Sequence, residues 1–221
     1  MTSYVFFAII GYLSGSILFA RIVPKQLRGV DVVRLSDDGN PGTANAFAFA
    51  GPVVGSIVLF LELAKGFVPV YLAAQRLDTA NLAFSLVLAA PVLGHALPAY
   101  WGFKGGGKAI AVSFGALLGI LPQNGPVLAL AALYLLFSLI IVVYPNFYRS
   151  IVTFLLLNLI MLFFGPSPGV TIGVILISLT AVIRHLVRYQ GETMTVRVNR
   201  VGLTAICLAV VGIAVFRALS N

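Results

Sequence analysis

Of 221 residues, 60% are apolar and 9% charged, and the mean hydropathy is +1.06. A soluble domain cannot clothe itself with so few charges, whereas a lipid-facing bundle needs almost none, so a water-soluble globule is excluded. The net charge of +8 fits either membrane topology with anionic headgroups or an anionic substrate, and basic residues scattered between apolar stretches leave no continuous stripe for nucleic acid.

The first apolar segment, residues 4–23, would be about 30 Å long as a helix, enough to cross the hydrocarbon core. No basic n-region or small-residue cleavage site accompanies it, so it reads as a retained span and not a signal peptide. A polar stretch over 24–44 precedes further apolar segments at 52–74, 80–101, 108–121, 126–144, 149–165, 169–187 and 201–219. The 108–121 segment is short for a full span. Pro-Gln-Asn-Gly-Pro over 122–126 and Pro-Ser-Pro-Gly over 166–169 cannot continue a helix and mark tight hairpins. The pattern predicts an all-α transmembrane bundle of seven to eight spans, with residues 1–200 as the main domain and 201–221 as an additional C-terminal helix. Cys207, the single cysteine, excludes an internal disulfide and a cysteine-rich metal site. Six acids and two histidines are the whole supply of acid–base groups in the usual range.

Basic residues set the orientation. With the N-terminus outside, Arg21, Lys25, Arg28, Arg34, Lys104, Lys108, Arg149, Arg184, Arg188, Arg197 and Arg200 all face the cytoplasm. Only Arg76 and Arg217 then fall outside, and Lys65 lies within a span.

That topology gathers three polar clusters on one face of the membrane. The first runs Ser36-Asp37-Asp38-Gly39-Asn40-Pro41-Gly42-Thr43-Ala44-Asn45. Turns of this composition can point several backbone N–H groups the same way and bind an anion, although an ordinary connecting loop would look similar. The second follows His95: Trp101-Gly102-Phe103-Lys104-Gly105-Gly106-Gly107-Lys108, leading into a new helix. Three glycines allow close backbone approach, two lysines flank them, and a helix N-terminus adds its dipole. A flexible hairpin with snorkelling lysines is the alternative. Residues 102–108 match G-x-x-x-x-G-K in form, but Ala109 stands where Ser or Thr is needed and no strand precedes, which excludes a nucleotide P-loop. The third cluster is Arg184-His185-Leu186-Val187-Arg188, leading to Glu192. Arg184 and Arg188 share a helix face, and a neutral His185 imidazole could serve as a general base; an interfacial topology anchor is the other reading. Within a span, Glu62 and Lys65 stand three residues apart on one face, where they would pair with each other or mark an ion path.

The clusters, in this order and spacing, resemble the bacterial glycerol-3-phosphate acyltransferases that use acyl phosphate as donor. The matching residues are Gly15-Ser16-Ile17, Gly39-Asn40-Pro41-Gly42 with Asn45, Glu62-x-x-Lys65-Gly66, Gly94-His95-x-x-Pro98, Phe103-Lys104-Gly105-Gly106 with Lys108, and His185. The resemblance covers about residues 10–192. It implies a bacterial inner-membrane enzyme with its site on the cytoplasmic face, no metal or organic cofactor, and acyl phosphate and a phosphorylated small-molecule acceptor as partners alongside membrane lipid. It also implies catalytic roles for His185, Lys104 and Lys108. Substrate or phosphate binding would fall to Asp38, Gly39, Asn40, Gly42, Thr43, Asn45, Gly105, Gly106, Gly107, Ser150, Arg188 and Glu192, with Glu62, Lys65 and His95 in support.

The chain departs from that pattern at named places. Asp38 stands for the family serine, Thr43-Ala44 reverses its Ala-Thr, and Ala48 occupies its arginine position. One extra glycine precedes Lys108, Arg188 replaces the late asparagine, and the serine-rich stretch before the sixth span is reduced to Ser150. Two rival functions follow: a non-catalytic homologue that binds anionic lipid or phosphate, and a small anion transporter built on Glu62 and Lys65.

Overall fold

The computed structural model describes residues 1–121 and 125–204. The chain opens with helix α1 (Thr2–Gly15), breaks, and resumes as α2 (Phe19–Arg28). Residues 4–23 are therefore not one continuous rod. A one-turn helix α3 (Val32–Leu35) is capped by the Asp31 carboxylate, which accepts from Val33 N and Arg34 N. The long α4 (Thr43–Ala74) carries a kink at Gly51, whose φ of 85° and following Pro52 interrupt the ladder. Next come α5 (Phe84–Ala96) with a 3₁₀ turn at Ala99–Trp101, and α6 (Ile110–Leu118). At 9 residues α6 is too short to span alone.

The 126–144 segment is not one helix either. Helix α7 (Pro126–Leu135) ends in a π turn at Leu136–Ile140, and the chain then becomes strand β1 (Ile141–Tyr144). The β-branched run Ile141-Val142-Val143 favours an extended backbone, and Pro145 closes it. After α8 (Asn146–Phe164) and α9 (Pro168–Leu186), strand β2 (Thr195–Val198) pairs antiparallel with β1, Ile141 opposite Val198. The bundle is thus helical with one two-stranded ribbon, a departure from the all-α expectation. Of the 201–219 segment, residues 205–219 lie outside the described residues, as do 122–124 of the predicted hairpin.

Among the described residues, five helical segments are long and apolar enough to cross a membrane: Thr2–Arg28, Thr43–Ala74, Phe84–Trp101, Asn146–Phe164 and Pro168–Leu186. The shorter Pro126–Ile140 and α6 complete the bundle. The core between them is apolar, with Phe84, Leu88, Leu117, Phe154, Leu157 and Ile177 fully buried. Close helix approach rests on small residues, as lipid-embedded packing requires. A Cβ on Gly94 would overlap the Tyr12 backbone of α1, and one on Gly115 the Leu63 backbone of α4. At one end of the bundle, Tyr4 hydroxyl donates to Asp78 O and Ser167 hydroxyl to Thr79 O. At the other end lie all three polar clusters.

Candidate active site

The loop before α4 is organised by Asp38. Its Oδ1 accepts from Asn40 N at 3.0 Å and from Asn45 Nδ2 at 3.1 Å, and the same Asn45 amide donates to Asn40 O at 2.8 Å. The side-chain carboxylate bonding two residues along is the local turn chemistry of Asp and Asn. Gly39 (φ 56°) supplies the left-handed step beside it.

The glycine loop lies against this turn. Asn40 Oδ1 accepts from Lys108 N at 3.1 Å, and Lys108 Nζ sits 2.9 Å from Asp38 Oδ2. Gly107 N donates to His95 O at 3.2 Å. A Cβ on Gly107 would overlap His95 Nε2, so the close approach to the end of α5 requires glycine. Burial alone would raise the Asp38 pKa, but Lys108's hydrogen bond and charge, the Asn40 N–H and the Asn45 amide outweigh it. The carboxyl is held below the ordinary aspartate range.

Two arginines of the third cluster clamp both loops. Arg188 Nη1 donates to Asp38 O at 2.5 Å and Nη2 to Gly106 O at 2.7 Å. Arg184 donates through Nε to Gly107 O at 3.2 Å and through Nη2 to Gly106 O. Their four-residue spacing on α9 and the turn after it places both guanidinium groups over the glycine loop. His185 turns about 100° away from that face. It is fully buried, its ring packs near Phe147, and its Nδ1 lies 2.8 Å from Ala181 O. That bond puts the proton on Nδ1 and leaves Nε2 as the acceptor.

Two cavities flank the Asp38–Lys108 pair. A groove of about 550 Å³ is lined by Asp38, Lys104, Gly105, Arg184, Arg188 and neighbours. A deeper cavity of about 620 Å³ has a polar floor of Asp38, Asn40, Thr43, Asn45, His95 and Lys108, and an apolar wall of Leu59, Leu63, Ile110 and Phe114. Asp38 lines both. The two lysines of the glycine loop are thereby separated: Lys104 is exposed in the groove, and Lys108 is tied into the deeper cavity.

Glu62 and His95 of the deeper cavity's lining form a buried charge cluster with Lys65. Lys65 Nζ sits 2.7 Å from Glu62 Oε2 and 2.8 Å from His95 Nδ1, and donates to Ile17 O at 2.6 Å. An ammonium has three donors, and here three acceptors meet them. His95 Nδ1 also lies 3.2 Å from Glu62 Oε2; with Lys65 donating at the shorter distance Nδ1 accepts, which assigns the ring proton to Nε2, facing the glycine loop. Glu62 Oε1 also accepts from Ala20 N at 3.4 Å.

Several predicted residues sit away from the cavities. Ser150 is buried and accepts from Tyr134 hydroxyl at 3.0 Å, outside both linings. Glu192 meets Tyr148 hydroxyl through its main-chain oxygen at 2.9 Å. His185 lines neither cavity. Yet Thr43 Oγ1, His185 Nε2, Arg188 Nε and Glu192 Oε2 are all buried without a hydrogen-bond partner among the described residues. Ser36 Oγ, Thr153 Oγ1, Asn158 Oδ1, Ser178 Oγ and, its ion pair with Lys65 aside, Glu62 Oε2 share that state, three of them along α8 and α9. The four named first belong to the start of α4, the end of α9 and the chain just after it. Arg184 and Asn146 were not among the predicted site residues, although both line a cavity. The four-residue spacing from Arg188, and an Asn directly after Pro145 at a helix start, were the available signals. Among the described residues no group of three His, Cys, Asp or Glu could hold a metal ion.

Comparison with known proteins places this geometry in context. A family model described as glycerol-3-phosphate acyltransferase matches residues 5–191. The chain is 35% identical over 179 residues to the glycerol-3-phosphate acyltransferase of Thermotoga petrophila, covering 81% of this chain and 87% of that protein. To the Shewanella halifaxensis enzyme of the same name it is 36% identical over 174 residues, 79% and 83% of the two chains. Among solved structures it is similar to PlsY (YgiH), an integral membrane glycerol 3-phosphate acyltransferase, in its glycerol 3-phosphate form. The TM-score is 0.72 at 29% identity, covering 83% of this chain and 88% of that one. The lysophosphatidic acid form of that protein gives a TM-score of 0.70.

Proposed function

The chain belongs to the glycerol-3-phosphate acyltransferase family, and we propose that it moves a fatty acyl group from acyl phosphate to glycerol 3-phosphate, giving lysophosphatidic acid and inorganic phosphate. The acceptor hydroxyl oxygen attacks the carbonyl carbon of the mixed anhydride, and the bond from that carbon to the phosphate oxygen breaks. The hydroxyl proton ends on the departing phosphate, so the reaction balances without a permanent protein base and without an acyl-enzyme.

The deeper cavity takes the donor, with its acyl chain along Leu59, Leu63, Ile110 and Phe114 and its head near Asn40, Asn45 and Lys108. The His95 Nε2–H and the glycine-loop backbone stabilise charge that develops on the carbonyl oxygen. The groove takes the acceptor's phosphate on Lys104, Arg184 and Arg188. Because Lys108 already neutralises Asp38, the carboxylate that replaces the family serine does not repel the incoming anion. His185 Nε2 orients the acceptor hydroxyl, satisfying an acceptor otherwise left bare. Its full burial means that the loops part when the acceptor enters. Ser150 and Glu192 support from the second layer.

The reading extends to topology. The basic-residue bias supports an N-terminus outside, seven crossings over residues 2–186 when α6 and α7 count as short spans, and a site facing the cytoplasm of a bacterial inner membrane. The observation that carries the proposal is the sharing of Asp38 by a lipid-compatible cavity and a cationic aqueous groove. The test is mass spectrometry of lipids made by purified, reconstituted protein given acyl phosphate and glycerol 3-phosphate. Lysophosphatidic acid is the expected product; none from folded protein overturns the proposal.

A further inference from the structure

Helix α2 is two-faced. Ala20 and Pro24 are buried against the bundle, while Lys25, Gln26, Leu27 and Arg28 are exposed. A groove of about 360 Å³ runs beside it, lined by Arg21, Lys25, Asp31, Arg34 and Trp101. The Arg21 guanidinium stacks on the Trp101 ring, 4.3 Å from its centroid. Asp31 is already engaged: it caps α3 and pairs with Arg34 at 3.6 Å. Among the described residues no carboxylate pairs with Arg21 or Lys25. None of these residues lines the donor cavity or the acceptor groove.

The surroundings say what would fill it. Leu27, Leu35 and Tyr100, next in sequence to the lining residues Gln26, Arg34 and Trp101, are each more than half exposed. An amphipathic helix with cations on its polar side, a tryptophan and flanking apolar side chains is the composition of a membrane–water interface. We propose that this groove binds the headgroup of an anionic phospholipid, its phosphate between Arg21 and Lys25 and its acyl chains against the flanking apolar residues.

Trp101 is the single tryptophan of the chain, so its fluorescence reports this groove alone. The protein in nanodiscs built with a tryptophan-free scaffold would be titrated with brominated phosphatidylglycerol or brominated phosphatidylcholine, and quenching would give the exchange preference. A nanodisc offers the same lipids to both faces, which removes any dependence on orientation. The anionic lipid is expected to quench at lower mole fraction, with a preference that falls about fivefold in Lys25→Gln. Arg76→Gln, at the opposite end of the bundle, is expected to leave the preference unchanged. Lys25 is exposed, so its substitution does not threaten the fold. Equal quenching by the two lipids, an unchanged preference in Lys25→Gln, or an equal fall in Arg76→Gln would each overturn the site.

Discussion

Arg188 is the sharpest point at which to test the site. Its guanidinium joins two loops that are distant in sequence, through Asp38 O at 2.5 Å and Gly106 O at 2.7 Å. A hydrogen bond from a charged donor contributes about 1.5–3 kcal/mol, and fixing an arginine side chain costs about 2 kcal/mol. Those two bonds already fix the guanidinium before substrate arrives, so a further charged bond from its Nε, unpartnered among the described residues, to the acceptor phosphate, at about 2 kcal/mol, corresponds to about a 30-fold change in an equilibrium constant. Arg188→Asn should therefore raise the KM for glycerol 3-phosphate about 30-fold and leave the KM for acyl phosphate within about twofold. Arg188→Lys keeps the charge but lacks the planar fork, so it should recover only part of the loss. Steady-state kinetics on reconstituted protein, with each substrate varied in turn, reads both constants. An unchanged acceptor KM, or equal rises in both, would refute the assignment of Arg188 to the acceptor side.

Gly107→Ala places a methyl group on His95 Nε2 and should abolish measurable transfer, with a lowered unfolding temperature in detergent. Glu62→Gln strands the Lys65 charge among buried groups and should destabilise by about 3–5 kcal/mol, whereas Glu62→Gln combined with Lys65→Met should recover most of it; thermal unfolding in detergent measures both. For Asp38 the folded pKa is depressed, so its stabilising contribution is complete above the ordinary value of 3.8 and is lost only as pH falls through the lower folded value. The difference in unfolding temperature between wild type and Asp38→Asn should accordingly stay constant from neutral to mildly acidic pH and shrink below it. His185→Gln, which keeps an acceptor, should retain more turnover than His185→Leu of equal thermal stability; equal turnover would remove His185 from the proposal.

What could be read from sequence was whatever is local. Glu62 and Lys65, three residues apart, had to share a helix face, and Arg184 and Arg188 likewise. Their partners lie 30 or more residues away along the chain, and periodicity carries no information about those. His95 joining the Glu62–Lys65 pair is such a contact. So is the β1–β2 ribbon, since a strand is recognised by its partner and 50 residues intervene between Tyr144 and Thr195. The apolar segment at 52–74 omits the first nine residues of α4, 43–51. The helix resumes across a positive φ, so that Thr43 and Asn45 stand on its first turn. The extra glycine before Lys108 made the two lysines ambiguous in one dimension. Three dimensions separate them, because the Asp38 ion pair fixes Lys108 alone.

The interruption between α1 and α2 has an evolutionary consequence. A continuous helix would have spent Ile17 O and Ala20 N on itself; broken, it releases one toward the Lys65 ammonium and the other toward the Glu62 carboxylate. Main chain thus does for this ion pair what a hydration shell does in water, at a depth where water is scarce. Neither half persists alone. A mutation that healed the helix would leave two buried charges unsolvated, and one that made the pair apolar would leave two peptide groups facing hydrocarbon. Residues 16–20 and 62–65 should therefore drift together across descendants of this chain, as one inherited character written in two places.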